Sequence, residues 1–170
     1  EKSGRPVKIV MTRDEVFRAT GPAPGSKARI RIGATSDGEL TAIEGWIGYA
    51  VGCTNDMAGF IGAMSVASYK FPNLKLEAVG VLTNTPKTCS YRAPSAPQAA
   101  FAIESVIDEI AQTLGLDPID VRLKNAVVEG DPTAMGMPHP RIGFVECLEA
   151  IRDSDHYGSP VPEGGARGVG

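Results

Sequence analysis

Apolar and polar residues alternate strictly over positions 28–32, with Ile30 and Ile32 on one face and Arg29 and Arg31 on the other. A period of two predicts a half-buried strand. Ser36-Asp37-Gly38-Glu39 then supplies a hairpin turn, and positions 40–51 form the returning strand. Gly45, Gly48 and Gly52 mark bends or close backbone approach in it. Positions 7–12 predict an earlier strand, joined to the hairpin by a loop over 22–27. Phe71-Pro72-Asn73 turns the chain into a further strand over 74–83, with Leu74, Leu76, Ala78 and Leu82 on one face. In between, positions 58–66 are small and apolar and suit a short buried helix, although Gly59 and Gly62 weaken it.

The period then changes from two to 3.6. Ala99, Ile103, Val106, Ile107, Ile110 and Leu114 fall at three- and four-residue spacings, the stripe of a helix facing a core. Ser95 can cap it, Pro97 fits its first turn, and Gln98 stands at the capping-box position. Gly115 stops it, and Asp117-Pro118 starts a second helix with a cap and a proline at the first position. Phe144, Val145, Leu148 and Ile151 predict a last helix, after a proline-rich loop over 126–141. From position 154 the chain turns glycine-rich, and flexibility is expected there. Strands followed by helices give an α+β fold, a mixed sheet with packed helices. The domain is expected over 1–153 and the tail over 154–170.

Composition adds limits. The chain has 170 residues, 42% hydrophobic and 22% charged, which suits one globular domain with a real core. A net charge of −3 gives no broad footprint for nucleic acid. Apolar runs are too short for a membrane-spanning helix, and no signal-peptide pattern opens the sequence. Both ends suggest a unit excised from a longer polypeptide. Cys53, Cys89 and Cys147 are too sparse for a disulfide framework or an iron–sulfur set. A cytoplasmic setting is the default, and each cysteine is expected as a small buried residue. His139 and His156 lack metal-ligand spacing and are expected in solvent, as are Arg13-Asp14-Glu15 and Glu146/Glu149.

The chemistry concentrates at Tyr91-Arg92-Ala93-Pro94-Ser95-Ala96-Pro97-Gln98, an arginine in a short loop ahead of a helix N-terminus. Such a terminus attracts anions, and a guanidinium adds forked donors suited to phosphate or an oxo group. On the bare residues, a surface ion pair for Arg92 is the competing explanation.

This stretch resembles the large, molybdenum-binding subunit of the xanthine dehydrogenase / aldehyde oxidase / carbon monoxide dehydrogenase family. Tyr91, Arg92, Pro97, Gln98, Glu104, Asp108, Ala111, Leu114-Gly115, Asp117-Pro118, Arg122, Lys124-Asn125 and Gly130-Asp131 carry the resemblance. Arg5-Pro6-Val7-Lys8, Thr12-Arg13, Tyr69-Lys70-Phe71-Pro72-Asn73 and Cys147-Leu148 extend it over about positions 5–153. The resemblance implies a molybdenum–molybdopterin cofactor, its cytosine dinucleotide form being one option, used to hydroxylate a carbon centre with oxygen from water. It implies iron–sulfur clusters and FAD on other domains or subunits as partners, and a small-molecule substrate.

Arg92 matches the family arginine that contacts the cofactor, with Tyr91 and Ala93 bringing backbone groups to the same place. Gln98 either bonds the cofactor or completes the cap. Pro94 stands where purine-oxidising members place a phenylalanine, and Phe60 falls where they place a substrate-binding arginine, so a purine pocket is not expected. Glu104 and Asp108 suit structural pairing with Arg122. No catalytic base and no metal ligand is assigned within this stretch, and the isolated fragment is expected to be inactive. The alternative is a non-catalytic anion-binding or scaffold domain of the same fold.

Overall fold

The computed structural model describes residues 2–54, 66–89, 93–94 and 96–168. The alternating segment becomes β1 (Ser26–Ala34), which pairs antiparallel with β2 (Leu40–Gly52). Residues 35–39 close the hairpin: Thr35 N–H donates to the Glu39 carbonyl at 2.9 Å and Gly38 takes φ +82°. β3 (Asn73–Leu82) runs parallel to β2 on its other edge, so the sheet is mixed, in the order β1-β2-β3. A parallel neighbour requires a crossover. It runs through 53–72, and most of the helix expected over 58–66 lies outside the described residues.

Register sorts the side chains. Ile43 sits opposite Ile32 and Leu74, and Gly45 opposite Ile30 and Leu76, so the apolar positions share one face. A Cβ at Gly45 would come within 2.8 Å of the Ile30 side chain, so glycine lets its neighbours close over that row. Across this face lies α2 (Ala96–Leu114), which buries Ala99, Ile103, Ile107 and Ala111 at four-residue intervals. Leu40, Ile43, Val66, Tyr69, Ile103, Ile107 and Val121 form the main core. Each fully buried isoleucine contributes about 2 kcal/mol by area. The helix ends as expected. Gly115 adopts φ +67°, its N–H reaches the Gln112 carbonyl, and Leu116 N–H reaches that of Ala111.

Asp117 Oδ1 then accepts from Ile119 and Asp120 N–H to start α3 (Pro118–Asn125). Two buried polar residues of α3 tie the layers together. Asn125 accepts from Leu40 N–H and donates to the Gly38 and Val121 carbonyls, each at 2.8 Å, fixing the hairpin turn to the helix. Arg122, 2% exposed, reaches α2 and the crossover. Its Nε donates to Glu104 Oε2 at 2.9 Å, and its Nη1 lies 2.8 Å from Asp108 Oδ1. Glu104 also accepts from the Tyr69 hydroxyl at 2.8 Å. Burial, then the Glu104 charge, pushes the Tyr69 phenol well above its usual range and keeps it a donor. The expected pairing of Glu104 and Asp108 with Arg122 is therefore present.

α4 (Phe144–Arg152) packs Leu148 with Ile119 and Ala126 in a smaller cluster. Beyond it, the tail carries the one-turn α5 (Asp155–Gly158), and the Arg167 guanidinium lies 5.7 Å from the Tyr157 ring.

Several expectations are corrected. Residues 7–12 do not form a strand; Val7, Ile9 and Val10 are 68%, 85% and 75% exposed. The residues favour β structure, but no described strand neighbours them to complete a ladder. Just after them Thr12 caps α1 (Arg13–Ala19) with Glu15 in a capping box, so Arg13-Asp14-Glu15 is the first turn of a helix as well as exposed charge. The three cysteines are exposed, not buried. His139 is buried, and its backbone pairs with Gly130 and Asp131 in the loop of 130–139.

Two predictions follow from the α3 contacts. Arg122→Ala leaves Glu104 and the Tyr69 hydroxyl without their cation, and is expected to cost about 3 kcal/mol in urea unfolding. The Asp37 carboxyl is held down to about 2, first by Lys124 (2.6 Å) and then by Thr35. Because its folded value lies below the reference of 3.8, its contribution is complete above that pH and is lost as pH falls through about 2. NMR titration should give a midpoint near 2 for Asp37, moving up towards 3.8 in Lys124→Met.

Candidate cofactor-binding site

Residues 83–89 leave β3 in the direction of α2, and the end of β2 holds them in place. Thr83 N–H donates to the Gly52 carbonyl at 2.9 Å. Buried Thr88 directs both its N–H and its hydroxyl to the Val51 carbonyl, each at 3.2 Å. Cys89 N–H reaches the Pro22 carbonyl at 3.3 Å, which brings the loop before β1 against the same segment.

Two glycines make this packing feasible. Gly52 has φ +79°, and a Cβ there would collide with the Pro86 carbonyl. A Cβ at Gly21 would collide with Cys89. Sequence reasoning had marked Gly52 as a bend, but missed Gly21, Pro24 and Thr88, whose roles depend on contacts distant in sequence.

The sequence-derived site residues divide into two groups. Tyr91, Arg92 and Phe60, with the Ser95 cap, lie outside the described residues. Ala93, Pro94 and Gln98 are described. Ala93 takes φ +54°, a left-handed conformation that costs a non-glycine residue about 1 kcal/mol. Its carbonyl accepts from Ala96 N–H at 3.1 Å, turning the chain into the helix. Pro94 is exposed. Gln98 is half-buried, and its side-chain amide donates to the Pro24 carbonyl at 3.0 Å, tying the first turn of α2 to the loop before β1.

The first turn of α2 carries no acidic side chain, so the partial positive charge of a 19-residue helix is not offset there by its own residues. A helix N-terminus of this kind fits an anionic, oxygen-rich group. Two open grooves on the outer side of the sheet lie elsewhere, around Arg31, Glu44 and Lys75. Among the described residues, no group of three or more His, Cys, Asp or Glu could hold a metal ion, and no helix is long and apolar enough to cross a membrane.

Comparison with known proteins decides the family. The molybdopterin cofactor-binding domain matches residues 1–126, which include the whole loop and the start of α2. The chain belongs to that family.

Among relatives of this molybdopterin-binding domain, the xanthine dehydrogenase molybdenum-binding subunit of Escherichia coli O157:H7 is 32% identical over 160 residues, covering 88% of this chain and 20% of that protein. The nicotinate dehydrogenase large molybdopterin subunit of Eubacterium barkeri is 31% identical over 157 residues, covering 88% of this chain and 36% of that protein. The structure of reconstituted CO dehydrogenase from Oligotropha carboxidovorans superposes with a TM-score of 0.75 at 26% identity, over 88% of this chain and 20% of that one. The chain thus spans between a fifth and just over a third of the length of these proteins. The fold expected from the sequence, a mixed sheet with packed helices of the molybdopterin-binding type, is the fold found.

The glycine contacts lead to a prediction. Gly52→Ala forces the segment at Pro86 away from β2, whereas Ala93→Gly relieves the left-handed turn. We expect Gly52→Ala to increase amide exchange across 83–89 by at least tenfold, with Ala93→Gly leaving exchange there unchanged or slower.

Proposed function

We propose that this domain supplies one wall of the molybdopterin site in the large subunit of a molybdenum hydroxylase, with Arg92 as its principal contact. The observation that supports this most strongly is that residues 83–89, pinned to Val51 and Pro22, lead in sequence through position 92 to a helix whose first turn carries no acidic side chain, within the matched region. Arg92 donates hydrogen bonds to anionic or oxo oxygens of the group, and the helix terminus adds its partial positive charge. Tyr91 and Ala93 offer backbone groups to the same oxygens. Gln98 sits one turn behind, where its bond to Pro24 keeps the loop and helix in register.

When bound, the cofactor's molybdenum supplies oxidative hydroxylation of a carbon centre with oxygen from water. The domain's own residues bind and orient it; the base that completes the chemistry belongs to sequence beyond this stretch. The pterin is proposed in its molybdopterin or cytosine dinucleotide form. Iron–sulfur clusters and FAD on other domains or subunits take the electrons, in a cytoplasmic enzyme. The isolated 170 residues are inactive, because one wall does not enclose a cofactor.

Pro94 and Phe60 bear on substrate choice. Proline offers no aromatic face for stacking on a flat heterocycle, and phenylalanine supplies no forked donor. A small substrate other than a purine suits these two positions better.

The test is molybdenum and released pterin in the full-length parent, wild type beside Arg92→Ala. The expected result is near-stoichiometric molybdenum in the wild type and at least a tenfold loss of molybdenum or turnover in the variant. A well-folded parent from its own host with neither molybdenum nor pterin would leave the scaffold alternative standing.

A further inference from the structure

The chain ahead of β1 packs on almost nothing. From residue 2 to residue 20 every residue but Val16 is exposed, and α1 buries none. Five of the fourteen exposed large apolar residues among the described ones fall between positions 7 and 17: Val7, Ile9, Val10, Met11 and Phe17, at 68%, 85%, 75%, 40% and 74%. Large apolar side chains gathered in this way mark a surface that something covers.

The kind of cover follows from the backbone. Residues 7–11 make no backbone hydrogen bond among the described residues, although the sequence there favours a strand. Val7, Ile9 and Met11 stand on one side of an extended run, with Lys8 and Val10 on the other. An orphan strand of this sort is completed by another strand edge, main chain to main chain. α1 has local signals of its own, the Thr12–Glu15 box and an Asp14–Arg18 pair at 2.9 Å. Its 7 residues nonetheless fall well short of the ~12–15 that an isolated helix needs in water, so it too depends on packing.

The charges left over have one sign. Asp14 is paired with Arg18, and the Glu15 carboxylate accepts from the Thr12 N–H and hydroxyl at 2.7 and 2.9 Å. Lys2, Arg5, Lys8 and Arg13 make no ion pair among the described residues, and Arg13 lies over the Phe17 ring at 5.9 Å. Unmatched cations select acidic neighbours. The root of this arm is fixed, because Cys89 N–H holds the Pro22 carbonyl and Gln98 holds that of Pro24. The arm also lies within the region that matches the molybdopterin cofactor-binding domain. The chain spans only 20% and 36% of two relatives, so most of such a polypeptide lies outside these residues. Segments of one polypeptide meet at high effective concentration, ahead of any separate subunit.

We propose that residues 5–19 are an interface arm that docks on the same polypeptide outside these 170 residues. Residues 7–11 pair edge to edge with a strand there. Val7, Ile9, Met11 and Phe17 are buried against it, and the unmatched cations Arg5, Lys8 and Arg13 face acidic side chains beside that strand. The inference rests on family membership and not on the role of Arg92, so its test is independent of molybdenum loading.

The experiment measures amide hydrogen exchange on the full-length parent, alone and together with any subunits that copurify with it. Residues 7–11 are expected to exchange about a hundredfold slower than a free chain in both preparations. Ile9→Asp should speed exchange over 7–11 by about tenfold or more, with residues 99–111 of α2 unchanged. A second measurement does not depend on that variant folding: Val10 is replaced by the photoreactive p-benzoylphenylalanine, and the cross-linked peptides are mapped. The expected product lies within one polypeptide and joins position 10 to sequence outside residues 1–170. Free-chain exchange over 7–11 in the folded parent would overturn the proposal, as would protection that appears only with another subunit bound. Cross-links to another subunit, to a second copy or only within residues 1–170 would overturn it too, because each names a different occupant.

Discussion

The Arg122 guanidinium is the constraint on which the arrangement of layers depends. It is the only place where α3, α2 and the crossover segment meet through charge, by way of Glu104, Asp108 and the Tyr69 hydroxyl among the described residues. An arginine that is 2% exposed is tolerable only with its charge paired. Burial works against its charge, but the Tyr69 oxygen and the two carboxylates outweigh that, and its pKa is raised above the ordinary arginine value. The pairing therefore acts as an address. Sliding α2 by one turn would remove either Glu104 or Asp108 from reach, because they stand four residues apart on one side of the helix. Asn125 fixes the other direction by holding the hairpin turn at Gly38 and Leu40 against α3.

What is fixed at one end of α2 determines what can be presented at the other. The helix is anchored at its C-terminal half by Arg122 and by the turn at Gly115, while its first turn is tethered by Gln98 to Pro24. Residues 83–89, which precede that first turn in sequence, are held against the end of β2 by Thr88 on the Val51 carbonyl. Residues 83–89 are thus held by the sheet and Gln98 by the loop before β1, on either side in sequence of the proposed binding arginine. This matters for a binding arginine, since a contact to an anion keeps its strength only if the guanidinium arrives already positioned.

The fold was legible wherever a local period met a local signal. Alternation through Ile30 and Ile32, the turn at Gly38, the stripe from Ala99 to Leu114 and the cap at Asp117 each need only neighbours in sequence. Thr12 and Glu15 are equally legible as a capping box, masked only by the strand propensity of the run before them. That run failed for a non-local reason: strand propensity at Val7, Ile9 and Val10 becomes a strand only when a partner edge is present. The exposed cysteines and buried His139 escaped for a similar reason, since burial depends on what packs across from a residue.

The site was legible in a different way. Arg92 is marked by a resemblance in ordered residues, and the family match supports the cofactor class. The supports around it belong to the fold: Gly52 and Gly21 are needed because Pro86 and Cys89 come close from far along the chain. Gly48 follows the same logic on the opposite side of the sheet, where its missing Cβ lets Trp46 lie down. A glycine in a strand weakens it unless something occupies the space. In β2 that space is filled by Leu76 and Ile30 at Gly45, an indole at Gly48 and a carbonyl at Gly52. One strand thereby serves the core, an outer aromatic surface and the loop that leads to Arg92.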